Sequence, residues 1–223
     1  MSPRRVPVSR RDRPAKAPLS REAMVGTAVD IMRAEGLERV TMRRLAAELD
    51  TGPASLYVYV RNTAELHGAI LDELLAGLDH PSDFAEQGWR DRLIALLTAY
   101  TITLYRYPSL ARSVLTLRPS GPHYLRLIDS MLGLLHAGGV PLKQAAWGID
   151  ILLQQATSSA AEHGSRDQAL ESAEEEEELR EAMAAASAEA FPHIDRARDE
   201  LFSGTGEERM RWAFDTIIDG LRA

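Results

Sequence analysis

Six histidines, His67, His80, His123, His136, His163 and His193, are the side chains best suited to ligate a metal or shuttle a proton, and their spacing supports neither. No Glu-x-x-His or His-Glu-x-x-His pairing puts two ligands on one helical face, so the metal-oxidase chemistry that helical bundles can house has no ligand set. Gly-x-Gly-x-x-Gly, P-loop and Gly-x-Ser-x-Gly patterns are absent as well. With no cysteine there is no thiolate nucleophile, no Cys-ligated zinc, no iron–sulfur cluster and no disulfide framework. Neither catalytic residues nor a metal or cofactor are expected, and the chain does not read as an enzyme. What remains is contact chemistry. Within residues 43–61, Arg43, Arg44 and Arg61 supply cations while Tyr57 and Tyr59 supply hydroxyls, a set suited to the phosphates and base edges of duplex DNA.

The distribution of charge agrees with that reading better than its sum. The 223 residues carry a net −7, yet residues 1–66 hold 12 Lys/Arg against 8 Asp/Glu and the remainder 14 against 25. A basic front and an acidic rear face different partners. Residues 1–18 concentrate Arg4, Arg5, Arg10, Arg11, Arg13 and Lys16 against Asp12, and four prolines break any continuous helix, so this stretch reads as a disordered basic arm. It lacks the apolar central segment of a secretory signal, and no apolar run approaches the roughly 20 residues a bilayer span needs. A cytoplasmic protein with no membrane partner is expected.

From Leu19 onward the periodicity is helical and no alternating strand pattern persists, which predicts an all-α chain. Ser20 caps a first helix with Met24, Ala28 and Ile31 on one face, ended by Gly36. Thr41 caps a short second helix with Leu45, Ala46 and Leu49 inward. After Asp50-Thr51-Gly52 a third begins with Pro53 in its first turn, where the missing N–H costs nothing. At 100° per residue, Leu56 and Val60 define its buried direction. Tyr57 and Tyr59 then lie on its flanks, and Ala54, Ser55, Val58 and Arg61 face away. Both tyrosines could simply pack on neighbours. The alternative puts their hydroxyls at the DNA backbone, with small outward residues letting the helix enter a major groove.

Thr41-Met42-Arg43-Arg44-Leu45-Ala46, then Leu56-Tyr57-Val58-Tyr59-Val60-Arg61-Asn62, then Glu65-Leu66 resemble the DNA-binding domain of TetR-family repressors. Trp89, the pair Arg118-Pro119 and the ending Phe214-Asp215-Thr216-Ile217-Ile218-Asp219-Gly220-Leu221 are similar to the tetracycline-repressor branch. The resemblance implies a disordered arm at 1–18, a helix-turn-helix domain over 19–64, and a helical effector-binding and dimerisation domain over 65–223. It implies DNA contacts from Thr41, Arg43, Arg44, Gly52, Pro53, Ala54, Ser55, Tyr57, Val58, Tyr59, Arg61 and Thr63. Two departures stand out. Asp50 occupies a turn position where relatives place Gly, and it tolerates the left-handed conformation better than most residues. Thr63 replaces a phosphate-binding Lys, offering a hydroxyl and a helix cap without charge.

The body is expected to form helices near 63–78, 88–106, 108–116, 122–137, 141–162, 191–202 and 206–222. Residues 164–190, with the run Glu174–Glu178, read as a marginal helix or a disordered loop. Two stripes, Ile149, Leu152, Leu153 and Ala156, and Met210, Phe214, Ile217 and Leu221, suit either an intramolecular core or an interface; the resemblance favours a two-fold four-helix bundle in a homodimer. The resemblance also places Leu96, Tyr100, Val114, Leu117 and Ser130 around a small-molecule effector, with Trp147, Ile151 and Gln154 closing the site. Val114 and Leu96 stand where the tetracycline repressor has an imidazole and an amide, so a metal-independent, largely hydrophobic effector is implied. The expected function is a homodimeric repressor that releases a palindromic operator when that effector binds. The alternative is a helix-turn-helix DNA-binding protein without an effector.

Overall fold

The structure, a computed structural model, describes residues 19–168 and 172–222; the basic arm at 1–18 lies outside them. The described residues are helical with no strand. They form α1 (Arg21–Glu35), a 3-10 turn (Leu37–Arg39), α2 (Met42–Glu48), α3 (Pro53–Leu56), α4 (Thr63–Leu75), α5 (Trp89–Tyr105) and α6 (Pro108–Val114). There follow α7 (Pro122–Ala137), α8 (Leu142–Gln168), α9 (Ser172–Ala185), α10 (Pro192–Leu201) and α11 (Gly206–Leu221). No helix of the described residues is long and apolar enough to cross a membrane.

Side-chain caps start α1, α2, α4 and α11, and a proline opens α3, α6, α7 and α10. The Ser20 and Thr41 hydroxyls accept from the amides of Ala23 and Arg44, both at 3.1 Å, which starts α1 and α2 where expected. Thr205 and Glu208 form a reciprocal capping box at the start of α11. At α4 the cap is Asn62, whose Oδ1 accepts from the Glu65 amide at 2.8 Å; Thr63 is the first helical residue and does not cap. In the stretch 164–190 the helical alternative is the one realised: α8 continues to Gln168 and the Glu174–Glu178 run lies inside α9, where Arg180 pairs with Glu176 and Glu177 one turn away.

One buried cluster runs from Met24 to Ile218. α8 packs on α5, α6, α7 and α11, and α4 packs on α1 at the front and on α5, α6 and α7 behind. The buried residues of α4, namely Leu66, Ala69, Ile70, Leu71, Asp72 and Leu75, fall all around its circumference. Thr63, Ala64 and Glu73 are exposed, but from Glu65 to Asp72 every residue is buried or half-buried, so this middle stretch must satisfy packing on every side. The front three helices and the rear bundle therefore share α4, and their cores are continuous through it.

The rear is closed by α11. Gly148 lets Leu221 approach so near that a Cβ there would lie 2.3 Å from Leu221 Cδ1. At the same end Arg90 bonds Asp215 at 2.6 Å and Asp219 at 2.7 Å, and Arg211 reaches Asp91 at 2.7 Å. Phe214 is fully buried between these contacts and is among the largest enclosed side chains. Phe214→Ala is expected to cost about 3–5 kcal/mol of unfolding free energy, measured by urea denaturation.

Candidate nucleic-acid interface and internal cavity

α2 and α3 are joined by a turn whose geometry depends on Asp50, the sole non-glycine with positive φ among the described residues, at 48°. Backbone bonds from Asp50 N–H to Ala47 and from Thr51 N–H to Ala46 close it, at 3.2 and 2.8 Å. α3 is a single helical turn and then tightens, with the amides of Tyr59 and Val60 both donating to the Leu56 carbonyl. The continuous third helix expected through Arg61 is thus shorter, in keeping with the stiff β-branched Val58 and Val60. Its facing is as expected. Leu56 and Val60 are buried; Gly52, Pro53, Ala54, Ser55, Tyr57 and Val58 are exposed, Val58 to 81%.

The two tyrosines part company. Tyr57 points into solvent, whereas the Tyr59 hydroxyl donates to the Leu19 carbonyl at 2.5 Å and ties α3 to the start of α1. Tyr59 is therefore a brace in this conformation and does not offer its hydroxyl to phosphate. The cations differ likewise. Arg44 is held between Glu35, at 2.8 Å, and Glu48, and these carboxylates raise its pKa. Arg61 lies along Glu65 at 3.0 Å. Arg43 is exposed and pairs with no carboxylate among the described residues. Thr41 and Thr63 are both exposed, the first with its oxygen already used as a cap.

Among α5, α6, α7 and α8 lies a cavity of about 170 Å³ lined by Tyr100 of α5, Val114 of α6, Leu115, Leu117, Arg118 and Pro119 of the turn after it, Tyr124 of α7, and Asp150, Leu153, Gln154 and Thr157 of α8; α4 supplies no wall but packs on α6 and α7 from the front. Of the residues expected to line a site, Tyr100, Val114, Leu117 and Gln154 do so. Leu96 is buried core on α5, and Ser130 is bonded to His80 Nδ1 at 2.9 Å. Trp147 and Ile151 are 65% and 48% exposed on the outer side of α8 and close nothing. The stripe 150, 153, 154, 157, at helical spacing, carried the signal for the true wall. The lining is also less apolar than expected. The Tyr100 hydroxyl meets Thr157 Oγ1 at 2.9 Å, burial raises the pKa of both Tyr100 and Tyr124, and Arg118 and Asp150 flank Tyr124. A larger groove of about 640 Å³ between α5, α8 and the start of α11 touches neither α6 nor α7, the two cavity helices on which α4 packs.

The stripes expected at a dimer interface are the chain's own core. Ile149, Leu152, Leu153, Ala156 and Phe214 are at most 6% exposed, and Met210, Ile217 and Leu221 are half-buried against them. They face inward because α8 and α11 must first pack on α5. The large apolar side chains left in solvent on the same helices are Leu142 at the start of α8, Trp147, Ile151 and, at 70%, Trp212.

Residues 81–223 match the family model described as the tetracyclin repressor-like C-terminal domain. The chain belongs to the TetR family. It is 38% identical over 132 residues to the HTH-type transcriptional repressor DrrR1 of Streptomyces coeruleorubidus, a match spanning 57% of this chain and 48% of that protein, about half its length. The crystal structure of the transcription regulator SCO7704 of Streptomyces is 49% identical, covering 93% of this chain and 96% of that one, with a TM-score of 0.76. ActR of Streptomyces coelicolor in complex with actinorhodin is 30% identical, with coverage of 92% and 96% and a TM-score of 0.82.

In this TetR-family chain α6 joins front to rear through two side-chain bonds. Ser109 donates to Glu38 of the 3-10 turn, and Ser113 Oγ lies 2.7 Å from His67 Nδ1 on α4. Burial lowers the pKa of His67 below its ordinary 6.5. The folded chain thus prefers neutral His67. This group exacts no penalty above about pH 6.5, and stability is lost as pH falls from there through the depressed folded value. Urea unfolding at pH 7.5 and 5.5 should show lower stability at the acid end, with His67→Asn reducing the difference.

Proposed function

We propose that the chain is a homodimeric transcriptional repressor that binds a palindromic operator and releases it when a small molecule enters the cavity behind α4. The observation that carries this reading is that α4 packs on α1 in front and on α6 and α7 behind, the helices that supply Val114 and Tyr124 to the cavity, so that reshaping those walls loads the helix that supports α1. ActR, crystallised with actinorhodin and with (S)-DNPA, supports a ligand-responsive regulator.

At the operator, Ala54, Ser55 and Val58 enter the major groove and offer methyl contacts and one hydroxyl, so thymine methyls and groove shape dominate the reading. Arg43 takes a guanine edge. Thr41, Thr63, Tyr57 and the amides near Gly52 and Pro53 address phosphate, joined by Arg44 and Arg61 once their carboxylate partners are exchanged for phosphate oxygens. That exchange keeps a salt-sensitive grip from being won by free cations alone, and the basic arm adds to it. Two copies associate through the outer face of α8 and α11, where Trp147, Ile151 and Trp212 are exposed. The recognition helices then sit about 34–36 Å apart, one turn of DNA.

The effector is held by Tyr100, Val114, Leu117 and Gln154 with Leu153, Thr157 and Tyr124, without a metal. Its class shifts from largely hydrophobic to amphipathic, an apolar frame with polar groups for the phenols and for Arg118 and Asp150. Effector and operator favour different positions of α4, so each weakens the other's binding by the same factor.

A duplex selected from a random pool is expected to bind with an affinity that falls steeply as salt rises, and replacing half-site thymines by uracil should weaken it. Tyr57→Phe with Arg43→Ala should reduce affinity tenfold or more, read by fluorescence anisotropy. Binding indifferent to salt and to both substitutions would overturn the assignment of the reading head.

A further inference from the structure

Asp72 is the one carboxylate buried among the described residues, 6% exposed in the middle of α4. It meets no cation there. Its partner is the start of α7, a helix whose own N-cap is Gly121 and makes no side-chain capping bond, and whose first residue, Pro122, has no N–H to offer. The Tyr124 amide donates to Asp72 Oδ1 at 2.9 Å, across 52 positions of sequence. Asp72 is therefore the cap that α7 lacks locally, and its negative charge lies where the helix dipole favours it.

The fit leaves no slack. A Cβ on Gly121 would lie 2.1 Å from Asp72 Cγ and 2.2 and 2.5 Å from its two oxygens, so only glycine admits the carboxylate this close. The residue whose amide is held is also the residue whose side chain forms a wall of the cavity, Tyr124. A molecule that displaces Tyr124 thus moves the amide that Asp72 grips, and through it α4. The second tie from α4, His67 to Ser113, ends one residue from the cavity-lining Val114 and gives α4 a hold on the opposite wall.

We infer that Asp72, seated against Gly121, is the positioning residue that couples the cavity to α4 and so to the DNA-reading helices. The inference rests on the ligand-responsive reading above and adds the group that transmits the response. A capping bond suits this task because it has two discrete states, made or broken, with little between.

Because the chain has no cysteine, Leu117→Cys gives a single thiol in the cavity, and benzyl methanethiosulfonate fills the space through a disulfide that reductant removes. With Asp72 and Gly121 intact, the adduct should weaken binding of the selected operator tenfold or more against the same protein after reduction. In Asp72→Leu, which keeps much of the shape and removes the acceptor for the Tyr124 amide, the response should shrink below threefold. Gly121→Ala, which leaves Asp72 in place and pushes its carboxylate aside, should do the same. A merely structural role would lower the thermal midpoint of both variants while the tenfold response persisted, and that result overturns the coupling role. An adduct without effect when Asp72 and Gly121 are intact would instead overturn the cavity as the effector site, and the coupling with it.

Discussion

The constraint on which the rest depends is that α4 packs on both halves of the molecule, with no exposed residue from Glu65 to Asp72. Its apolar residues point in every direction because α1 lies on one side and α5, α6 and α7 on the others. Two helix sets that would otherwise be separate units share a core through it, and a push on its middle from one set is taken up by packing against the other. Packed interiors respond to such a push by switching between arrangements and not by yielding gradually. The cavity shares α6 and α7 with this helix, and under the proposed function that shared packing turns occupancy into movement.

The front end obeys a different economy. Its interior is ordinary, with Leu45, Leu56 and Val60 enclosed, but its outward surface exposes Val58 and Tyr57 for no gain in folding. Its cations are not idle either. Arg44 and Arg61 satisfy carboxylates on the head itself, which holds the turn and α4 in register before any DNA arrives. Exposed pairs of this kind contribute little stability, about 0.2–1 kcal/mol each, so phosphate can replace the carboxylates at small expense. Arg43 stands ready without such an exchange.

Much of this was legible in sequence because it depends on neighbours in the chain. The caps at Ser20 and Thr41, the left-handed turn at Asp50 and the inward pair Leu56 and Val60 all follow from local spacing. What escaped depends on distant partners. Nothing near Tyr59 announces that Leu19 takes its hydroxyl, and nothing near Gly121 that Asp72 caps α7. The stripes on α8 and α11 show the same limit: apolar residues at helical spacing mark a buried face but not which neighbour buries it, so Ile149 and Leu152 read equally as core or interface. The wall of the cavity was half visible. Tyr100, Val114, Leu117 and Gln154 came from resemblance, whereas Tyr124 and Thr157 needed the fold that brings α7 and α8 to α5.

If α4 links the two ends, operator binding at the front must be felt at the cavity even when it is empty, since linkage is reciprocal. Amide hydrogen exchange of the full chain, with and without the selected operator duplex, measures this directly. The account predicts altered protection in residues 113–124, around Ser113 and the Tyr124 amide, as well as in α2 and α3. Changes confined to residues 19–62, with exchange across α6 and the start of α7 unmoved, would contradict it.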